Sequence, residues 1–159
     1  MPKNPDSHER FGLLLGQIAR GWRIEIDRRL LPFGLTESRW LILMHLSRQS
    51  APMTQIELAK LASVKGPTMV RTLDWLESEA LIERRLISGD RRAKAIHLTP
   101  KATPVLAQIQ RVIEGVRQEI FASVAEDDIA ICLRTFEHIA GKLGDATPTL
   151  NPNKTTDTK

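Results

Sequence analysis

The stretch "TQIELAKLASVKGPTMVRTLDWLESE", residues 54 to 79, decides the fold. Thr54 and Glu57 make a capping box, in which hydroxyl and carboxylate each accept the other residue's backbone N–H, so a short helix opens there and ends near Leu61. A brief turn, "ASVK", follows. Proline is tolerated only in the first turn of a helix, where its missing N–H has no partner to lose. Pro67 therefore places the start of a second helix near Lys65. On it Met69, Leu73, Leu76 and Ala80 share one face, while Pro67, Thr68, Arg71, Trp75 and Ser78 share the other. Two helices thus meet across a tight turn, and the outer face of the second is polar and basic at its N-terminal end.

Downstream, "LIERRLI" (81–87) and "AKAIHL" (93–98) alternate partly around a Ser-Gly-Asp-Arg tip, the pattern of an antiparallel hairpin. Arg84, Arg85, Arg91, Arg92 and Lys94 crowd it with cations, and Ile96 and Leu98 root it in the core. Upstream, Thr36 is placed to cap "ESRWLILMHLSRQ", where Trp40 to Met44 and Leu46 are apolar on nearly every side, as expected of a central buried helix; His45 sits beside that core. Before it, Phe11, Leu15, Ile18, Trp22 and Ile26 recur at helical spacing until Pro32 and Gly34 end the pattern.

Beyond the hairpin, Thr99 followed by Pro100 predicts an N-cap with proline at the first helical position, and Pro104 should only bend the helix that follows. Val105, Ile109, Val112, Val116 and Ile120 form its stripe; Ile129, Leu133, Phe136, Ala140 and Leu143 form that of the last helix. The long first and last two helices carry more apolar stripe than a small helix-turn-helix core covers, so a symmetric homodimer is expected, with a monomeric bundle as the alternative.

The expected fold is mainly α (α+β), a winged helix-turn-helix with long terminal helices forming a homodimer interface. It divides into a flexible start (1–7), one unit (8–143, with dimerisation helices 8–35 and 100–143 around a winged unit 36–99) and a disordered tail (144–159). That tail has a single large apolar residue, Leu150, and cannot offset the entropy of ordering.

At 159 residues with 42% hydrophobic and 26% charged residues, the chain suits one soluble domain. Its net charge of +4 points to a polyanion only where cations are concentrated, as on the hairpin. The single cysteine, Cys132, excludes an intrachain disulfide and cysteine-rich zinc sites. No run of about 18 apolar residues occurs, and the polar start lacks a secretion signal, so no membrane partner and a cytoplasmic location are expected.

The layout is that of a winged-helix DNA reader, whose second helix enters the major groove. Arg71 suits a base contact there, because its planar fork can donate two hydrogen bonds to guanine, worth about 1–3 kcal/mol of discrimination; Thr68 can reach a base or phosphate and Pro67 a thymine methyl. The alternative for Arg71 is a solvated surface arginine. Lys65 weakens the cap but adds a phosphate-binding cation.

From about Gly12 to Thr99, "IARGWRIEIDRRL", "LTESRW", "QIELAK", "PTMVRTLDWLE" and "DRRAKAIHLT" resemble the MarR family of bacterial regulators, most closely its SlyA-like branch. The resemblance implies a two-fold dimer on double-stranded DNA at a pseudo-palindromic operator, acting as repressor or anti-repressor. It also implies release from DNA by a small aromatic carboxylate or related ligand, with aromatic acyl thioesters worth testing. By position, Pro67, Thr68 and Arg71 match major-groove contacts, Arg92 the wing-tip arginine of the minor groove, and Asp90 the aspartate that holds it. Minor-groove potential attracts arginine, and Asp90 can brace the guanidinium beforehand. Arg91 and Lys94 suit flanking phosphates. Arg84 and Arg85 stay open between DNA contacts and solvated strand charges.

Arg20, Arg23, Trp40 and Thr72 match positions that contact aromatic carboxylates in SlyA-like proteins, with Met44 and His45 beside them. An arginine pair offers bidentate recognition and an indole a flat wall. Against this, Trp40 and His45 also suit the core and Arg20 a salt bridge. The sequence departs from the family pattern at Ala80, where glycine is common, and at Trp75, open between packing on the wing or dimer helices and touching DNA backbone.

No catalytic constellation, HExxH motif, nucleophile elbow or phosphate loop occurs, and His8, His45, His97 and His138 are scattered, so an enzyme is not expected and no cofactor is implied. A metal-responsive regulator lacks a paired ligand motif. A protein-binding adaptor on the same fold would differ by weak salt dependence.

Overall fold

A computed structural model describes residues 5–87 and 90–144, with the side chains of 6–87 and 94–144. Ser88, Gly89, the side chains of Asp90, Arg91 and Arg92, and the 145–159 part of the expected tail lie outside the described residues. The elements are α1 (Pro5–Leu30), a 3-10 turn (Leu31–Phe33), α2 (Glu37–Arg48), β1 (Met53–Thr54), α3 (Gln55–Ala62), α4 (Gly66–Ser78), β2 (Ile82–Ile87), β3 (Asp90–Leu98), α5 (Ala102–Phe121) and α6 (Glu126–Leu143). Helix α1 begins inside the segment read as a flexible start. Two compact units divide the chain, Met1–Glu119 and Ile120–Lys159.

In the first unit α2 is the central rod, with Trp40, Ile42, Leu43, Met44 and Leu46 buried. Around it pack Ile26 and Leu30 of α1, Leu58 of α3, Met69, Leu73 and Leu76 of α4, Ile82 and Ile96 of the sheet, and Ile109 and Val116 of α5. Each fully buried aliphatic side chain contributes roughly 1.5–3 kcal/mol, so this one cluster is the main stabilising term. The sheet is antiparallel in the order β1-β3-β2. Strand β1, two residues pairing Met53 with Ile96, was not anticipated; it is too short to alternate visibly. The β2–β3 register runs from Ile82 opposite Leu98 to Leu86 opposite Lys94, then shifts so that Ile87 faces Asp90.

The capping box at Thr54 and Glu57 is present, with both reciprocal bonds made. Two other expected caps differ. Thr36 sits at the N-cap of α2 with extended backbone, but its hydroxyl makes no capping bond; its carbonyl accepts from Arg39 and Trp40 N–H instead. The Thr99 hydroxyl donates to the Ala80 carbonyl at 2.6 Å rather than capping α5, which begins two residues past Pro100, at Ala102. Ala80 itself has φ of +56°, so the end of α4 does demand the left-handed conformation that glycine adopts freely.

In the second unit, α6 opens on Glu126, Asp127 and Asp128, charges favourable to the positive end of a helix dipole. Ile131, Leu133, Phe136 and Leu143 are exposed along it.

Candidate nucleic-acid interface

The turn between α3 and α4 is closed by Ser63 in the left-handed region at φ 52°, with Val64 N–H donating to Ala59 O at 3.1 Å. Lys65 then N-caps α4 without a side-chain bond, and Pro67 occupies its first turn. Because Met69, Leu73 and Leu76 are completely buried on one side, the opposite side is held outward: Lys65, Pro67, Thr68 and Arg71 are all exposed. The Arg71 guanidinium folds back along the helix, Nε donating to Pro67 O at 3.4 Å, a long bond that leaves its terminal nitrogens available. Val70 is exposed beside them, an apolar surface suited to a thymine methyl that face-counting missed.

On the wing, Lys94 is exposed, and the backbone of Asp90, Arg91 and Arg92 continues β3. Arg84 points elsewhere. Its Nη1 donates to Glu77 and its Nη2 to Asp74 at 2.7 Å, while its backbone N–H donates to Glu77 Oε1 at 3.3 Å. Burial works against the Arg84 charge, but the two carboxylates outweigh it and the pKa is raised. Arg84 therefore fastens the wing to α4. Arg85 pairs with Glu83 on its own strand.

Trp75 is half-buried and packs against the edge of the core cluster. The Arg39 guanidinium lies 3.7 Å from its ring centroid, and a Cβ at Gly34, which holds φ of +73°, would sit 3.6 Å from its Cζ2. The indole thus faces Gly34, between α1 and α2, and Arg39 in the first turn of α2, contacts no local pattern announces.

The residues assigned to a ligand separate into two groups. Arg20 and Arg23 line a cavity of about 310 Å³ with Gly16, Ala19, Ile24 and Glu37. Trp40, Met44 and Thr72 are buried in the core and His45 is half-buried; none of the four lines that cavity. Thr72 Oγ1 donates to Ser38 Oγ at 3.1 Å. Burial pushes the His45 pKa down, and Arg48 adds to the shift. Trp40 Nε1 and Asp27 Oδ1 are buried without hydrogen-bond partners, a donor and an acceptor left with unused capacity. Among the described residues no three His, Cys, Asp or Glu side chains cluster to hold a metal, and no helix is long and apolar enough to cross a membrane.

The MarR family model matches residues 35–94. The transcriptional regulator PA3341 is 44% identical, with a TM-score of 0.75 over 84% of this chain and 97% of that one. MepR of S. aureus, in a structure with DNA, is 22% identical, with a TM-score of 0.71 over 83% of this chain and 97% of MepR. CouR from Rhodococcus jostii RHA1, bound to p-coumaroyl-CoA, is 19% identical, with a TM-score of 0.67 over 81% and 90%. These last two share the fold.

Proposed function

Because this chain belongs to the MarR family, we propose that it regulates transcription by binding a pseudo-palindromic operator as a homodimer, repressing or relieving repression there. The observation that carries this reading is the outward face of α4, where Pro67, Thr68 and Arg71 stand exposed over a fully buried opposite side. A helix presenting an exposed arginine near its N-terminus, with its terminal nitrogens turned to neither helix nor core, fits recognition of a guanine edge. Lys65 and Lys94 suit flanking phosphates. Arg92, with Asp90 as its brace and Arg91 beside it, is assigned to the minor groove from the sequence pattern.

The dimer is supported by the apolar residues α1 exposes, Leu13, Leu14, Leu15, Ile18 and Ile24, and by those along α6. Large apolar side chains exposed in this number along a helix favour association. A second copy would also set the two α4 helices to read half-sites about 34 Å apart.

For the effector, the Arg20–Arg23 cavity suits a small carboxylate, since two guanidinium groups can take both oxygens. An aromatic acid or aromatic acyl thioester is the class we assign, in line with the p-coumaroyl-CoA held by CouR. Trp40, Met44, His45 and Thr72 would reach such a ligand only after rearrangement; the unpartnered Trp40 Nε1 is the donor such a rearrangement would use.

The test is fluorescence anisotropy with the DNA upstream of the protein's own coding sequence. Arg92→Ala should weaken specific binding at least tenfold with helix content and oligomeric state unchanged. Unaltered affinity would remove Arg92 from the interface.

A further inference from the structure

Three consecutive residues in the first turn of α2 reach two different places. Glu37 lines the cavity that holds Arg20 and Arg23. Ser38 Oγ accepts the hydrogen bond from Thr72 Oγ1 on α4 at 3.1 Å. Arg39 stacks on Trp75, also on α4, and its Nη1 donates to Gly34 O at 2.6 Å. Thr72 and Trp75, three residues apart, are neighbours on the surface of their helix, so Ser38 and Arg39 grip one patch of α4. Thr72 directly follows Arg71, and Trp75 lies one turn beyond it.

We infer that residues 37–39 couple the anion cavity to the recognition helix, with Ser38, Arg39 and Trp75 as positioning residues. The inference deepens the effector reading above and rests on it for the identity of the trigger. An anion entering the cavity is attracted by Arg20 and Arg23 and repelled by Glu37. The backbone of this turn is tied at its start, where Arg39 and Trp40 N–H both donate to Thr36 O, at 2.9 and 3.1 Å. A shift of the Glu37 backbone therefore carries Ser38 and Arg39 with it. These two contacts pass the movement to Thr72 and Trp75, which changes the aim of Arg71. Chains of packed side chains and hydrogen bonds on stiff elements carry coupling in this way, and linkage makes the effect reciprocal: DNA must weaken anion binding by the same factor.

The experiment uses the full chain, salicylate as the probe and a DNA duplex selected by the purified protein from a random pool. In the unaltered protein, saturating salicylate should lower DNA affinity at least tenfold. In the Ser38→Ala/Arg39→Gln double variant, salicylate binding measured by calorimetry should stay within threefold while its effect on DNA affinity shrinks below threefold. An undiminished effect overturns the inference. A second measurement needs no ligand. Glu37→Gln should alter DNA affinity severalfold in the unaltered background and hardly at all in the double variant; equal effects in both overturn the coupling. Failure of salicylate to bind or to act would count against the effector reading alone, and the Glu37 comparison would still decide the coupling.

Discussion

Ala80 keeps a conformation that costs an L-residue with a Cβ about 1 kcal/mol or somewhat more, held by Leu81 N–H on Leu76 O at 2.9 Å and the Thr99 hydroxyl on its own carbonyl. Ala80→Gly should therefore raise the stability of the folded chain by about 0.5–1 kcal/mol in urea unfolding. A midpoint that stays put or falls would contradict this. Gly34 shows the converse: at φ of +73°, Gly34→Ala should cost about 1 kcal/mol in urea unfolding, while its Cβ would meet the Trp75 ring at an ordinary contact distance of 3.6 Å. The demand at position 80 was legible in the sequence, because alanine stands where the family often ends this helix with glycine. The environment of Trp75 was not legible. Its partners, Gly34 and Arg39, are far away in the chain, and an exposed helix face gives no sign of what crosses over it.

Arg84 joins two elements. A side chain 19% exposed, bonded to Asp74 and Glu77, ties β2 to α4 and so sets the wing relative to the recognition helix. Arg84→Ala should destabilise the fold by about 1–2 kcal/mol, less than full burial would imply because both carboxylates remain partly in water. It should also weaken DNA binding without flattening sequence preference; a selective loss at one base position would instead make Arg84 a base contact. A second junction links α1 to α5. Arg29 takes both oxygens of Glu119 and also reaches Glu25, which Arg28 holds as well.

Hydrogen bonds from Arg28 and then Arg29 bring the Glu25 pKa down to about 2, and that from Arg29 lowers Glu119. A folded-state pKa below the unfolded one means the contribution is complete above the ordinary carboxylate range and is lost as pH falls toward the folded value. Stability should decline as acid is added from about pH 4, and Glu25→Gln should flatten part of that decline. Superimposable profiles would contradict the assignment. Helix faces of this kind were readable from periodicity, as Met69, Leu73 and Leu76 show. Arg84 was not, since a strand cation looks the same whether it faces solvent, DNA or a helix.

At the scale of the whole molecule, the proposal turns on association and on DNA. The apolar residues exposed on α1 and α6 lead us to expect a sedimenting species of twice the 17.9 kDa chain at micromolar concentration; a stable monomer would contradict it. The winged helix-turn-helix was legible because the Thr54–Glu57 capping box, the position of Pro67 and the hairpin alternation pointed the same way. The effector residues were less so: only Arg20 and Arg23 share a cavity, because nothing in the sequence tells whether an indole such as Trp40 lines a pocket or fills a core.

The most direct test of DNA recognition is a salt series of fluorescence anisotropy on a selected duplex and a scrambled one. We predict at least a hundredfold preference for the selected duplex, log affinity falling linearly with log salt as several phosphates are neutralised, and a loss of about tenfold in preference for Arg71→Ala. Equal affinity for the two duplexes, or binding indifferent to salt, would contradict the account.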